Sequence, residues 1–145
     1  MKFTKIRDVK TPTRGTPGSA GIDFYIPNNF EMTNLEPNER INIPSGIKVK
    51  VPSDFMLCAF NKSGIANNFG LLVGACIIDE DYQGEIHLNV INTSREIICL
   101  TPGLKLVQFV LIPVFYDNLD EVDEDKLYLK QTERGIGAFG STGLK

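Results

Sequence analysis

Between Ile41 and Val51 the side chains alternate with a period of two. Ile41, Ile43, Ser45, Ile47, Val49 and Val51 fall on one face, and Asn42, Pro44, Gly46, Lys48 and Lys50 on the other. An extended strand with one buried face turns that spacing into a continuous apolar surface. The alternation returns where Ile86, Leu88 and Val90 interleave with Glu85, His87 and Asn89, and β-prone runs recur at 3–9, 55–60, 71–78, 96–100 and 106–115. Turn signals stand between them: Pro17-Gly18, Pro27-Asn28-Asn29, Pro37-Asn38, Pro52-Ser53-Asp54 and Pro102-Gly103. Short strands at such intervals predict an all-β sandwich or closed barrel. Lys62 to Phe69 has room for one short helix, and Asn118 to Leu129 divides between helix and acidic loop.

At 145 residues the chain supports one core. Fifteen lysines and arginines against 18 aspartates and glutamates leave a net charge of −3, without the basic excess that would hold a nucleic-acid backbone. The N-terminal MKFTKIRDVK lacks a signal peptide's apolar stretch, and the most apolar segment, Leu106 to Phe115, is broken by Gln108 and Pro113. No membrane span and a cytoplasmic location are expected. Cys58, Cys76 and Cys99 lie in apolar runs without metal-site spacing, and read as buried, reduced thiols. The Asn92-Thr93-Ser94 sequon is set aside for want of a secretion signal. The core domain is expected to span 1–133. Beyond it, Arg134 to Gly143 (RGIGAFGSTG) sets four glycines around one aromatic, the composition of a flexible arm at 134–145. The acidic run from Asp117 to Asp125 reads as a solvated loop.

His87 is the only histidine, which argues against a Ser/His/Asp or Cys/His relay. Neither GxxxxGK[ST] nor a strand-to-helix GxGxxG occurs. Carboxylate and backbone chemistry remain. Val73 to Leu88 reads as strand, acidic turn, strand, with Asp79 at the rim where an apolar run ends. A partly desolvated carboxylate there can take a proton from water, but on this motif alone the preferred reading is that Asp79 and Asp81 merely shape a hairpin turn.

Five separated segments, in order from residue 18 to 143, together resemble the motifs of the trimeric deoxyuridine triphosphatase family. They are Ser19-Ala-Gly-Ile-Asp-Phe24, Lys62-Ser-Gly-Ile-Ala66, Gly74 to Ile86, Gly103-Leu-Lys-Leu-Val-Gln108, and Arg134 to Gly143. The resemblance implies a distorted jelly roll forming a homotrimer, with active sites at subunit interfaces, each closed by a neighbour's C-terminal arm. It implies hydrolysis of dUTP to dUMP and pyrophosphate, which limits uracil in DNA and supplies dUMP for thymidylate. Asp79 is then the base for water attacking the α-phosphorus, and a Mg2+ ion lies across the phosphates with Asp23 near it through water.

By the same resemblance, Tyr82 underlies the deoxyribose and rejects a 2′-hydroxyl, while the backbone of Cys76, Ile77, Ile78 and Asp79, with His87 on the returning strand, reads uracil. Lys62, Ser63 and Gly64 contact the phosphates with Gln108 nearby. From the arm, Phe139 covers the base, and Arg134, Gly140, Ser141 and Thr142 close on the terminal phosphate. The chain departs from the family pattern at Lys62, where arginine is usual, at Cys76 and Ala138, where glycine is usual, and in the length of 117–125. Two other readings are a dCTP deaminase, disfavoured because Asn89 occupies the position of its glutamate, and a dUTP-responsive binding or regulatory protein.

Overall fold

A computed structural model describes residues 1–138, Ser141 and Gly143. The chain divides into two compact units, Met1–Phe115 and Tyr116–Lys145.

The first unit is built from short antiparallel strands. In chain order they are β1 (Lys2–Lys5), β2 (Thr13–Arg14), β3 (Ile22–Tyr25), β4 (Thr33–Leu35), β5 (Arg40–Pro44), β6 (Ile47–Lys50) and β7 (Phe55–Phe60). Helix α1 (Ser63–Phe69) follows, then β8 (Leu71–Val73), β9 (Ile77–Ile78), β10 (His87–Asn92), β11 (Ile98–Leu100) and β12 (Lys105–Pro113). They form sheets in the orders β2-β3-β12-β7-β9, β5-β10-β8, β1-β6 and β4-β11. The inward positions of these strands make one core, with Phe24 and Phe109 in tilted contact at 4.5 Å between ring centres and Ile43, Leu57, Ile86 and Leu88 fully enclosed. Short strands sharing one core in several small antiparallel sheets give the all-β fold that the alternation predicts, in the jelly-roll-like form that the family resemblance implies.

The single strand expected over 41–51 is two. Gly46 takes a φ of +75°, and its Cβ position is crowded by Arg7 and Val9, so only glycine turns the chain there without strain. The apolar face survives the break, but β5 pairs with β10 whereas β6 pairs with β1. The run 71–78 is also divided: β8 pairs with β10, β9 moves across to β7, and Gly74 to Cys76 bridge the two sheets. The expected hairpin is therefore anchored at β8–β10, and its tip, 74–86, is a wide excursion rather than a tight acidic turn.

The cysteines are not buried: Cys76 and Cys99 are exposed and Cys58 is half-buried. Asn92 is wholly enclosed, its amide donating to the carbonyls of Leu35 and Glu96 at 2.9 and 2.8 Å, so the sequon asparagine is a core residue.

In the second unit the acidic segment yields one turn of helix, α2 (Glu124–Leu127), whose Lys126 pairs with Asp123. Further on, Arg134 Nε donates to the Gly137 carbonyl at 3.0 Å and closes a turn. Among the described residues no helix is long and apolar enough to cross a membrane.

Candidate functional site

Three separated motifs meet at one end of the five-stranded sheet. Asp23 on β3 stands opposite Gln108 on β12, and Gln108 is in turn opposite Phe60, the last residue of β7. Gln108 turns its side chain along this end, and its Nε2 donates to the Asn61 carbonyl at 2.8 Å. The arrangement requires Gly21, because a Cβ there would lie 2.1 Å from the Gln108 Oε1. Asn61 reaches on, its Oδ1 accepting the Val73 N–H at 2.6 Å. Thus the glycine of the first motif, the glutamine of the fourth and the residue before the second are tied by one side chain.

Asp23 is 5% exposed and carries two cations: Lys62 pairs with Oδ1 and Lys105 approaches Oδ2 at 3.3 Å. A buried carboxylate without such partners would carry a large desolvation cost. Asp23 thereby fixes Lys62 at the start of α1. The first intrahelical bond runs from the Ala66 N–H to the Lys62 carbonyl at 2.8 Å, so the N–H groups of Ser63, Gly64 and Ile65 are not consumed within the helix. Nothing lies within 4 Å of a Cβ built on Gly64. This is an open, donor-rich edge with a cation beside it, chemistry suited to phosphate oxygens.

The third-motif excursion is held from outside. Glu85 accepts Arg7 Nε at 2.7 Å and Nη2 at 3.0 Å, and also accepts the Gly46 N–H at 2.7 Å. The Arg7 hydrogen bond, with a smaller contribution from the Gly46 N–H, holds the Glu85 carboxyl below the usual carboxylate range against the opposing effect of burial. Glu80 accepts the Asp54 N–H at 2.6 Å. Neither anchor follows from spacing: Arg7 lies 78 residues from Glu85, and the β1–β6 pairing, followed by the Ile6 N–H on the Gly46 carbonyl at 2.8 Å, brings it alongside just beyond the end of β1. Tyr82 donates its hydroxyl to the Glu85 carbonyl at 2.9 Å, and its ring lies over Gly84, where a Cβ would fall 2.4 Å from the phenol carbon. One face stays open, since the residue is 42% exposed, so Tyr82 packs within its own loop rather than across strands. His87 is exposed with Nδ1 3.0 Å from the same Glu85 carbonyl, and is not the packing residue its strand position implies.

Within the bridge, the Cys76 carbonyl accepts the Ala59 N–H at 2.7 Å. Ile77 and Ile78 form the edge strand of their sheet, so among the described residues the outward backbone groups of β9 face no further strand. Asn89 Oδ1 accepts the Ala75 N–H at 3.0 Å and fills the space over Gly74. That amide is spent on the backbone, which weighs further against a deaminase's proton shuttle at this position.

Asp79 is exposed in the single chain, not partly desolvated as its place at the end of an apolar run implies. Ile78 pairs with Leu57, which brings Asp79 level with Met56 at the opposite end of β7 from Phe60. Four steps along the strand separate Met56 from Phe60, roughly 13 Å, and Lys62 lies further on. One chain therefore separates the carboxylate from the helix edge by much more than the hydrogen-bond reach of a base.

Of the arm residues, Ser141 donates its N–H to the Ala138 carbonyl at 3.0 Å, and Ala138 is not among the non-glycine residues with positive φ, which among the described residues are Asn38 and Asp54. Phe139, Gly140 and Thr142 lie outside the described residues.

A family model described as dUTPase matches residues 7–143. Among similar proteins is the deoxyuridine 5'-triphosphate nucleotidohydrolase of Desulfitobacterium hafniense, 37% identical over 138 residues, with 93% of this chain and 88% of that protein covered. The protein of the same name from Thermoanaerobacter sp. is 35% identical over 145 residues, covering 99% and 95%. Among solved structures, the dUTPase of Staphylococcus bacteriophage 80alpha with dUPNHPP gives a TM-score of 0.83 at 22% identity, covering 99% of this chain and 98% of that one. A mutant dUTPase from phage phi11 of S. aureus, described as revealing the coordination of a structural Mg(II) ion, gives 0.74 at 22% identity over 85% and 96%.

Proposed function

The chain belongs to the dUTPase family, and on that footing we propose that it hydrolyses dUTP to dUMP and pyrophosphate. The observation that carries the reading is the family match across residues 7–143, because it takes in the helix edge, the third-motif excursion and the arm together.

Asp79 accepts the proton of the water that attacks the α-phosphorus. Negative charge then grows on the phosphate oxygens, where Lys62, the Ser63 hydroxyl and the N–H groups of Ser63 and Gly64 donate. Gln108 acts at this end by holding Asn61, and so the approach to α1, in place. The free backbone edge of Cys76 to Asp79 offers N–H and C=O groups to the uracil edge, with His87 beside it, and mispairs with cytosine. Tyr82, with its hydroxyl committed to Glu85, offers a ring to the deoxyribose and leaves no room for a 2′-hydroxyl. Arg134, Phe139, Gly140, Ser141 and Thr142 form the closing arm, which excludes water.

The described residues contain no group of three His, Cys, Asp or Glu able to hold a metal by themselves. A Mg2+ ion carried in with the triphosphate, coordinated mostly by phosphate oxygens and water, fits such a site, with Asp23 as the nearby carboxylate. When bound it neutralises charge on the phosphates.

The separation of Asp79 from the helix edge within one chain supports a homotrimer in which one subunit supplies the excursion and another the phosphate end. A cytoplasmic location accords with this reaction.

Pyrophosphate release from dUTP, dCTP, dTTP and UTP, with magnesium and then with chelator, tests the reading. Release confined to dUTP and suppressed by chelation is expected. No pyrophosphate from dUTP would overturn it in favour of a binding protein, and ammonia from dCTP would revive the deaminase.

A further inference from the structure

Cys76 stands in the segment whose backbone is proposed to read uracil, and it has a second thiol beside it. Cys58 pairs with Ile77 across β7–β9, and the next contact is the Ala59 N–H to the Cys76 carbonyl at 2.7 Å. Cys58 and Cys76 are thus diagonal neighbours. Directly opposed residues are about 5 Å apart between Cα atoms and one step along a strand adds about 3.3 Å, so the diagonal is about 6 Å. That lies within the span a disulfide bridges. In an unbroken ladder the two side chains would point to opposite faces. Cys76, however, precedes the first residue of β9, in the irregular bridge from Gly74, and is free of that constraint. Cys58 Sγ donates to the Ala59 carbonyl at 3.7 Å, and burial, followed by the neighbouring Cys76 thiol, pushes the Cys58 thiol up, in keeping with the adjacency of the two. Cys76 is exposed, whereas Cys58 is half-buried.

We propose that Cys58 and Cys76 form a peroxide-sensitive pair whose oxidation to a disulfide draws the uracil-reading bridge onto β7 and weakens dUTP binding. The exposed Cys76 reacts first. Its thiolate attacks one oxygen of hydrogen peroxide and breaks the O–O bond, leaving a sulfenic acid and a hydroxide that takes up the displaced proton as water. The Cys58 sulfur then displaces hydroxide from the sulfenic sulfur, its own proton leaving in the second water. Two thiols lose two electrons in all and the peroxide gains them. Cys99, on β11 in a different sheet, takes no part.

The inference rests on the proposed uracil site for its effect on binding, and its test separates the two. The full chain is treated with hydrogen peroxide, then thiols are counted, linked peptides are identified by mass spectrometry, and dUTP hydrolysis is followed before and after dithiothreitol. The expected result is a fall from three free thiols to one, a Cys58–Cys76 linked peptide, and a rise in KM for dUTP of about tenfold, the loss of one or two hydrogen bonds to the base. Dithiothreitol reverses all three. Cys58→Ser keeps the activity of the reduced protein and yields no linked peptide, and Cys99→Ser leaves both the link and the KM change in place. Persistence of three thiols, or linkage through Cys99, overturns the pair. A linked peptide with unchanged KM overturns the effect on binding. A reduced protein inert towards dUTP would defeat the proposed function, while the linked peptide would still decide the pairing.

Discussion

At the phosphate end, Asp23, Lys62, Lys105 and Gln108 hold one another through contacts inside a single chain, and the carboxylate among them is almost wholly enclosed. The excursion from Gly74 to Ile86 is tied down along its two arms, by β9 on β7, by Asp54 on Glu80 and by Arg7 and Gly46 on Glu85, while the side chains of Asp79 and Tyr82 between those anchors stand open. The difference separates two tasks. On the proposed function, the groups that receive phosphate charge are preorganised before substrate arrives, which removes reorganisation from the reaction. On the same proposal, the exposed base and reading edge are instead completed by what packs over them, since roughly 13 Å or more of strand keeps them from the phosphate end of their own chain.

The largest expected effect breaks that division directly. Asp79→Asn lowers kcat for dUTP by about 10²- to 10⁴-fold, as loss of a general base does, while dUTP binding measured by calorimetry stays nearly intact. Stability should not fall, since no side-chain partner is lost. Mixing this variant, after subunit exchange, with Lys62→Ala sharpens the comparison. If each site takes its excursion from one subunit and its phosphate end from another, half the excursions and half the phosphate ends are sound, so about a quarter of the sites regain both. No recovery on mixing would place both halves of a site in one chain.

Gly21→Ala probes the rigid side. Its Cβ would meet Gln108 at Oε1, at Cδ and at Cβ, so the glutamine must leave the Asn61 carbonyl, at a cost of about 1–3 kcal/mol. A fall in denaturant midpoint together with a fall in kcat/KM is expected. Gly64→Ala is the contrast: with open space around it on α1, it should keep or raise the midpoint and lower only phosphate binding. Equal midpoints for Gly21→Ala and the wild type would mean that Gln108 does not need the space.

The strands were legible because burial on one face imposes a period of two, and 55–60 and the short helix near 63–69 fall where that pattern and the break after it put them. The split at Gly46 was not, since alternation passes unbroken through a turn that preserves the facing of each side chain. The motifs named Asp23, Lys62, Gln108 and Asp79, but they carry no information on which of these meet. Gln108 spends its amide on Asn61, Asp23 lies between two lysines, and Asp79 stands at the far end of β7, all consequences of pairing among β3, β12, β7 and β9. Arg7 and Glu85 left no signal at all, because a contact between two loop residues 78 positions apart has no local pattern.

That silent pair gives the smallest expected effect and tests whether the excursion depends on its rim. Arg7→Ala removes the bidentate contact and leaves Glu85 with the Gly46 N–H, so at neutral pH the melting temperature should fall by at most a few degrees, as for other exposed pairs. The pH dependence identifies the cause. In the folded protein the Glu85 carboxyl titrates below its unfolded value, so the contribution is complete above about pH 4.3 and is lost as pH falls through the folded value. The gap between wild type and Arg7→Ala should therefore be constant from pH 7 to about 5, narrow below about 4.3, and close once Glu85 is protonated. Added salt at pH 7 should shrink it as well. In the same variant KM for dUTP should rise modestly with kcat unchanged, because Arg7 supports the loop that carries Tyr82 and touches no reacting atom. A gap that stays constant down to pH 3 would show that the effect of Arg7 does not run through the charge on Glu85.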